Sequence, residues 1–317
     1  MENRDSFSPG QKGSTGDWKI VREGAEESLI QHRDQEDLEP KAAAMSSIDH
    51  NREEGLHRQP SDGRSNGEKI SEIKLKFMQA GLSELPLLIK KYGEDDRSGV
   101  VTICNQYQSK LEAHRKELLR TEAMKQYEKK YQDYTYICGI DEVGRGPLAG
   151  PVIACAVILP KDCDILYIND SKQLSEKKRE ELYDLIIEKA LAFGIGSVPP
   201  PRIDEINILQ ATYEAMHKAI QNLSIKPDLL LNDAVTIPGV DIKQVPIIKG
   251  DAKSISIAAA SILAKVTRDR LMVAYDKVFP GYDFAENKGY GSTRHIEAIK
   301  ELGLTPIHRR SFVKNFV

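Results

Sequence analysis

The residues best suited to chemistry stand side by side at Asp141 and Glu142, directly ahead of the turn Gly144-Arg145-Gly146-Pro147. Adjacent carboxylates beside a glycine-lined backbone suit a divalent cation and a phosphodiester. The acids supply hard oxygen ligands, and glycine lets the main chain approach a substrate closely. An isolated Asp-Glu pair usually just faces water, but two further acids change the reading. Asp233 closes the apolar run LLLND, and Asp251 follows Lys249-Gly250 after the next apolar run. In open α/β sheets, ligands gather at the carboxyl ends of strands. No His or Cys accompanies these four acids, so the set selects Mg2+ or Mn2+ rather than zinc. Two such ions about 3.5–4 Å apart can activate a water and stabilise the leaving oxygen of a phosphodiester.

The chain must carry these acids to one place. Strand side chains alternate between faces, so Glu142 is expected where the strand gives way to the turn. Apolar runs at 136–140 and 152–159 flank that turn. Ser175 heads a helix with Leu182, Leu185, Ile186 and Ala190 on one face, and a strand over 193–198 stops at three prolines. A helix is expected from Asp204 to Asn222, buried strands over 228–233 and 245–249, and the strongest helix over 254–278. Tyr290 lies in a Gly-rich loop, ahead of a short helix and the basic segment 308–310. Strands alternating with helices imply an α/β layered fold, here over residues 134–317.

Residues 69–133 read as a helical N-terminal extension. Ile70, Ile73, Phe77, Leu82, Leu85 and Ile89 suggest one short amphipathic helix broken near Gly93. Ile103, Tyr107, Leu111, Leu118, Leu119, Met124 and Tyr131 suggest one long helix with a Lys/Arg-rich outer face. Residues 1–68 are polar, with net charge −6, and are expected to form a disordered acidic tail. The next 66 residues carry +3 and the remainder 0, so the whole chain, at −3, has no overall basic signature. Four cysteines without CxxC or His-paired spacing argue against a disulfide framework or a zinc site. With no apolar leader and no run of membrane-spanning length, a cytoplasmic protein with no membrane contact is expected.

From about 136 to 312 the chain resembles the ribonuclease HII family, the prokaryotic type 2 ribonucleases H. The resemblance rests on GIDEVGRGPLAGPV at 139–152, INDSKQLSEKKRE at 168–180, IDEINI at 203–208 and LLLNDA at 229–234. It continues through KGDAKSISIAAASILAKVTRDR at 249–270, NKGYGSTRH at 287–295 and PIHRRSF at 306–312. It implies a ribonuclease H-like fold, a central mixed β-sheet flanked by helices, and hydrolysis of RNA in RNA–DNA hybrids. Cleavage 5′ to single ribonucleotides in duplex DNA, leaving 3′-hydroxyl and 5′-phosphate ends, is implied with it. Asp141, Glu142, Asp233 and Asp251 fall on the family's catalytic and metal-binding acids, with Mn2+ or Mg2+ as cofactor. Gly144, Arg145 and Gly146 fall on its ribonucleotide sensor, suited to reading a 2′-hydroxyl. Tyr290 falls on the tyrosine that packs on the sugar. Ser171 and Lys172 look suited to hold a phosphate, and Arg294 and Arg309 more weakly so. The implied partner is an RNA–DNA hybrid or ribonucleotide-containing duplex DNA, bound by a monomer. A ribonuclease HIII-like enzyme, another nuclease of the same fold and a non-catalytic hybrid-binding module are the alternatives. Asn232 departs from the family pattern beside Asp233, where it could tune metal binding.

Overall fold

The computed structural model describes residues 67–316; the expected acidic tail falls outside them apart from Gly67 and Glu68. Two short helices, α1 (Ile70–Gln79) and α2 (Leu85–Tyr92), pack on the first half of α3 (Ser98–Met124). Ile73, Phe77, Leu85, Tyr92, Val100, Ile103 and Cys104 form their own small core. The single helix expected over 70–89 is thus two, because Pro86 fits only the first turn of a new helix. The long helix also ends earlier than expected. It stops at Met124, and after Lys125 a short α4 (Gln126–Lys130) follows. Leu118 and Leu119 remain 47% and 63% exposed, so they belong to the outer face and not to the apolar one.

A five-stranded sheet in the order β3-β2-β1-β4-β5 lies at the centre of residues 137–247. Its strands are β1 (Ile137–Val143), β2 (Val152–Ile158), β3 (Ala192–Val198), β4 (Leu229–Asp233) and β5 (Lys243–Ile247). The β1–β2 and β2–β3 pairs are antiparallel, whereas β1–β4 and β4–β5 are parallel. The unbroken apolar run of β2 is buried on both faces. Ile153, Cys155 and Val157 join a core with residues of α5 (Glu176–Lys189) and α7 (Ile255–Val278). Val152, Ala154, Ala156 and Ile158 join the opposite core with α6 (Pro200–Gln221). The period of two thus sorts one strand between two helical layers. Beyond them α8 (Phe284–Asn287), α9 (Thr293–Leu302) and α10 (Arg310–Val313) enclose a third core around Met272, Tyr282, Phe284 and Ile299.

Two sequence expectations need correction here. The α6 segment starts at Pro200, since prolines are tolerated in a first turn whose N–H groups have no helical partner. It kinks at Asn207 (φ 65°, ψ 165°), whose side chain then caps Leu209 and Gln210. Asp204 starts no helix; its carboxylate accepts from the Arg310 and Ser311 amides and caps α10 instead. The second correction concerns β5, which is a partly exposed edge strand over 243–247 and not a buried one. Its Pro246 suits an edge, where a missing N–H leaves no ladder bond unmade.

Close approach of α7 to β1 fixes the site's geometry. A Cβ on Gly139 would lie 2.1 Å from the Ser256 carbonyl carbon and 2.4 Å from the Ile257 nitrogen. Gly139→Ala must therefore push α7 off the sheet, at a cost of about 3 kcal/mol from overpacking. Chemical denaturation checks this expectation, and a variant as stable as the parent would refute it. Among the described residues no helix is long and apolar enough to cross a membrane. All four cysteines are free and buried.

Candidate active site

The structure brings all four expected acids to one end of the sheet. One step past the Ile140/Asn232 pair, Asp141 and Asp233 sit on neighbouring parallel strands. Asp251 lies in a 3-10 turn, Gly250–Ala252, between β5 and α7. The Gly250 amide donates to Asp233 Oδ1 at 2.7 Å, tying the last two acids together. Contrary to the sequence expectation, the strand does not give way at Glu142. It runs on to Val143, with Glu142 still opposite Ala154. Both acids reach one site for a different reason. The parallel ladder with β4 ends at Ile140, so β1 runs on beyond its pairing with β4. Asp141 leaves on the α7 side, beside Ser261.

The electrostatics follow from this proximity. Burial, then repulsion from Glu142 and Asp233, raises the Asp141 carboxyl well above its ordinary range. Burial and Asp233 raise Glu142, against the pull of Arg145 and Lys172. Burial, Asp170 and Asp233 likewise raise Asp251. For Lys172, burial pulls the ammonium down, but Asp170, Asp251, Asp141 and Asp233 together outweigh it and raise it. Like charges held this close favour protonation or a counter-cation. The all-oxygen donor set fits a hard divalent ion in type. As the side chains lie, however, no group of three or more His, Cys, Asp or Glu among the described residues could hold one ion. Their oxygens are turned to protein partners: Asp141 Oδ1 to the Glu142 amide, Glu142 Oε1 to Arg145 at 3.4 Å, and Asp251 Oδ2 to Lys172 at 3.9 Å.

The glycine turn is held from behind. Gly144 has φ 90°, and a Cβ there would lie 2.3 Å from Arg268 Nε. Arg309 donates from Nη1 to Arg145 O at 2.9 Å, from Nη2 to Gly144 O, and from Nε to Gly150 O at 3.0 Å. Arg309 is fully buried, so its expected phosphate contact is corrected: it shapes the turn and cannot reach substrate. Arg268, also fully buried, donates to Pro151 O, Lys288 O and Ala149 O. Tyr290 stands across the turn, half exposed, with Cε1 3.7 Å from where a Gly146 Cβ would be. Ser171 Oγ bonds Ser261 Oγ at 3.0 Å, and Lys172 projects into solvent beside Asp251. Arg294 is exposed and pairs with Asp283 at 3.3 Å. Asn232 turns to Gln244 on β5 at 2.8 Å, which ties two strands together.

Four residues escaped sequence reasoning. Asp170 adds a carboxylate beside Asp251 and accepts from the Lys172 amide at 2.9 Å. Ser261 bonds Ser171 and stands beside Asp141, from inside an Ala-rich helix. The buried pair His295 and His308 orders the Tyr290 loop. The Thr305 amide donates to His308 Nδ1 at 2.9 Å, so His308 Nε2 carries the proton. That proton meets His295 Nε2 at 3.1 Å, and His295 Nδ1–H donates to Tyr290 O at 2.8 Å. Burial, then the neighbouring imidazole, lowers His308 to about 4. Between that value and the unfolded value near 6.5, the unfolded chain binds a proton that the folded chain refuses. Stability from this group is complete above pH 6.5 and lost as pH falls through 4, about 3 kcal/mol in all. Urea titrations at pH 7 and 4.5 should show a smaller loss for His308→Asn, whose amide oxygen keeps the Thr305 contact. Equal losses would remove the assignment.

A mixed sheet flanked by helices, with acids gathered at the ends of two parallel strands beside a glycine turn, defines the ribonuclease H-like class of nucleases. The family model described as Ribonuclease HII matches residues 138–315, and Ribonuclease HII N-terminal domain matches 69–132. The chain belongs to the ribonuclease HII family, and is an endoribonuclease degrading RNA in RNA–DNA hybrids. It is 67% identical to the ribonuclease HII of Lachnoclostridium phytofermentans, over 78% of this chain and 97% of the relative. The ribonuclease HII of Clostridioides difficile is 55% identical, over 73% and 94%. The solved ribonuclease H2 of Pyrococcus horikoshii OT3 is 29% identical, covering 57% of this chain and 97% of its own, at TM-score 0.49.

Proposed function

We propose that the protein nicks duplex DNA 5′ to single embedded ribonucleotides, besides hydrolysing the RNA strand of hybrids, and leaves 3′-hydroxyl and 5′-phosphate ends. The observation that carries this is the gathering of Asp141, Glu142, Asp233 and Asp251 at neighbouring strand ends, beside a glycine turn braced by buried arginines. These four acids would hold Mn2+ or Mg2+, which when bound supplies water activation and stabilisation of the leaving oxygen. The acids themselves keep a dense negative charge that repels a phosphodiester until it is neutralised. Gly144, Arg145 and Gly146 offer main-chain groups to the 2′-hydroxyl, which is both donor and acceptor. Tyr290 offers its ring to the adjacent sugar, and a bulkier 2′ substituent would disturb that contact. Lys172 and the Ser171 main chain hold a backbone phosphate beside Asp251.

In this reading residues 134–317 form the catalytic domain of a cytoplasmic monomer that removes ribonucleotides from DNA, and 69–133 form an extension. The test is a metal titration on a singly ribo-substituted duplex, with the cut position mapped and an all-DNA duplex alongside. One cut 5′ to the ribonucleotide, dependent on Mn2+ or Mg2+, is expected. Cleavage in excess chelator, or of the all-DNA duplex, would sink the reading.

A further inference from the structure

Two of the contacts between the N-terminal extension and the catalytic domain lead, along the chain, to residues of the candidate site. On α3, Glu117 and Arg120 form a two-pronged pair, with Arg120 Nε 2.8 Å from Glu117 Oε2 and Nη2 2.7 Å from Oε1. Together they clasp the main chain of the loop leading to Ser171. Glu117 Oε1 accepts from the Tyr167 amide at 2.6 Å, and Arg120 Nη2 donates to Ile168 O at 2.6 Å. Between these contacts Tyr167 holds a left-handed backbone (φ 65°), which costs a non-glycine residue about 1 kcal/mol or more and needs outside support. Four residues further on stands Ser171, bonded to Ser261, and then Lys172, facing Asp251.

The second grip leads to the other member of that pair. Glu128 on α4 accepts from Ser254 Oγ at 2.6 Å and from the Ser256 amide at 3.1 Å, at the start of α7. Asp251 lies three residues before Ser254, within the turn whose Gly250 carbonyl accepts from the Ser254 amide at 2.8 Å. The two gripped segments carry Lys172 and Asp251, which meet at 3.9 Å although they belong to different elements.

We propose that the α3–α4 arm is a brace that sets the phosphate-holding Ser171-Lys172 loop against the Asp251 turn, with Glu117, Arg120 and Glu128 as positioning residues. This rests on the roles proposed above for Lys172 and Asp251. The extension then contributes to turnover through main-chain geometry, independently of the positive charge on its outer face. Glu117 is suited to this task because it is nearly buried and holds a loop amide and a guanidinium at once. A charge-assisted fork of this kind fixes direction as well as distance.

A double-mutant cycle in the full-length protein tests the brace, with single-turnover and steady-state cleavage of a singly ribo-substituted duplex. Glu117→Ala is expected to lower kcat about tenfold, as loss of a supporting partner does, with KM changed less than about twofold. In a Lys172→Ala background the same change should cost less than about twofold, because the group it positions is gone. Glu117→Gln keeps an acceptor for the Tyr167 amide and carries the cycle if the alanine variant does not fold; a loss of about threefold is expected for it. Lys110→Gln and Lys116→Gln, on the outer face of the same helix, should leave kcat unchanged. Fully additive losses, a change confined to KM, or an unchanged kcat in the Glu117 variants would overturn the brace. Failure of the unmodified protein to cut this duplex would instead count against the proposed function itself.

Discussion

Asp141→Asn is expected to lower the single-turnover cleavage rate on the order of 10³-fold or more, a barrier increase of about 4 kcal/mol. The same variant should be more stable than its parent. Asp141 is buried and repelled by Glu142 and Asp233, and these effects hold its carboxyl well above the ordinary range. An amide of the same shape keeps an oxygen for the Glu142 amide while removing the charge that the neighbours oppose. Active-site groups assembled against their own repulsion commonly weaken the fold that holds them, so a gain of about 1 kcal/mol is expected in metal-free buffer. Both readouts are needed. A variant that lost activity and also unfolded more easily would show Asp141 to be structural, and one that cleaved at the parental rate would remove it from the chemistry.

Much of this centre was legible in the sequence, for physical reasons that differ between elements. Asp141, Glu142, Asp233 and Asp251 could be singled out because each ends or follows an apolar run, and strand ends are where α/β sheets meet ligands. The Ser175 cap was equally visible, since it precedes an amphipathic run and accepts from the amide three residues on. How Glu142 joins Asp141 was not legible. Convergence depends on β1 outrunning β4, and that overhang is a property of strand register. Asp204 misled because an acid before an apolar helix reads as its cap. Only tertiary structure shows that it caps α10 more than a hundred positions along the chain. The basic segment at 308–310 misled for a similar reason. Composition reports charge but not direction, and Arg309 points inward.

That inward arginine carries the largest structural expectation. Arg309→Leu should destabilise the protein by about 3–5 kcal/mol, because a buried hydrogen-bonding cation is removed while its partners stay buried. Gly144 O, Arg145 O and Gly150 O would each lose a donor, and an aliphatic side chain offers none in return. Burial and the neighbouring Arg268 lower the Arg309 guanidinium to about 9, still charged at neutral pH. Two adjacent buried cations, held chiefly by main-chain carbonyls, are costly to keep, so the shape they impose on the turn must offset that cost. Arg309→Lys supplies the decisive comparison. It retains the charge but cannot span three carbonyls with a planar fork. If the arginine serves geometry, the lysine variant should fold, lose about 1–2 kcal/mol, and discriminate less between a singly ribo-substituted duplex and an all-DNA one. If it serves only as a buried charge, the lysine variant should match the parent in both. Urea titration and paired cleavage assays distinguish the two, and unchanged discrimination in a folded lysine variant would show that the glycine turn keeps its shape without the guanidinium.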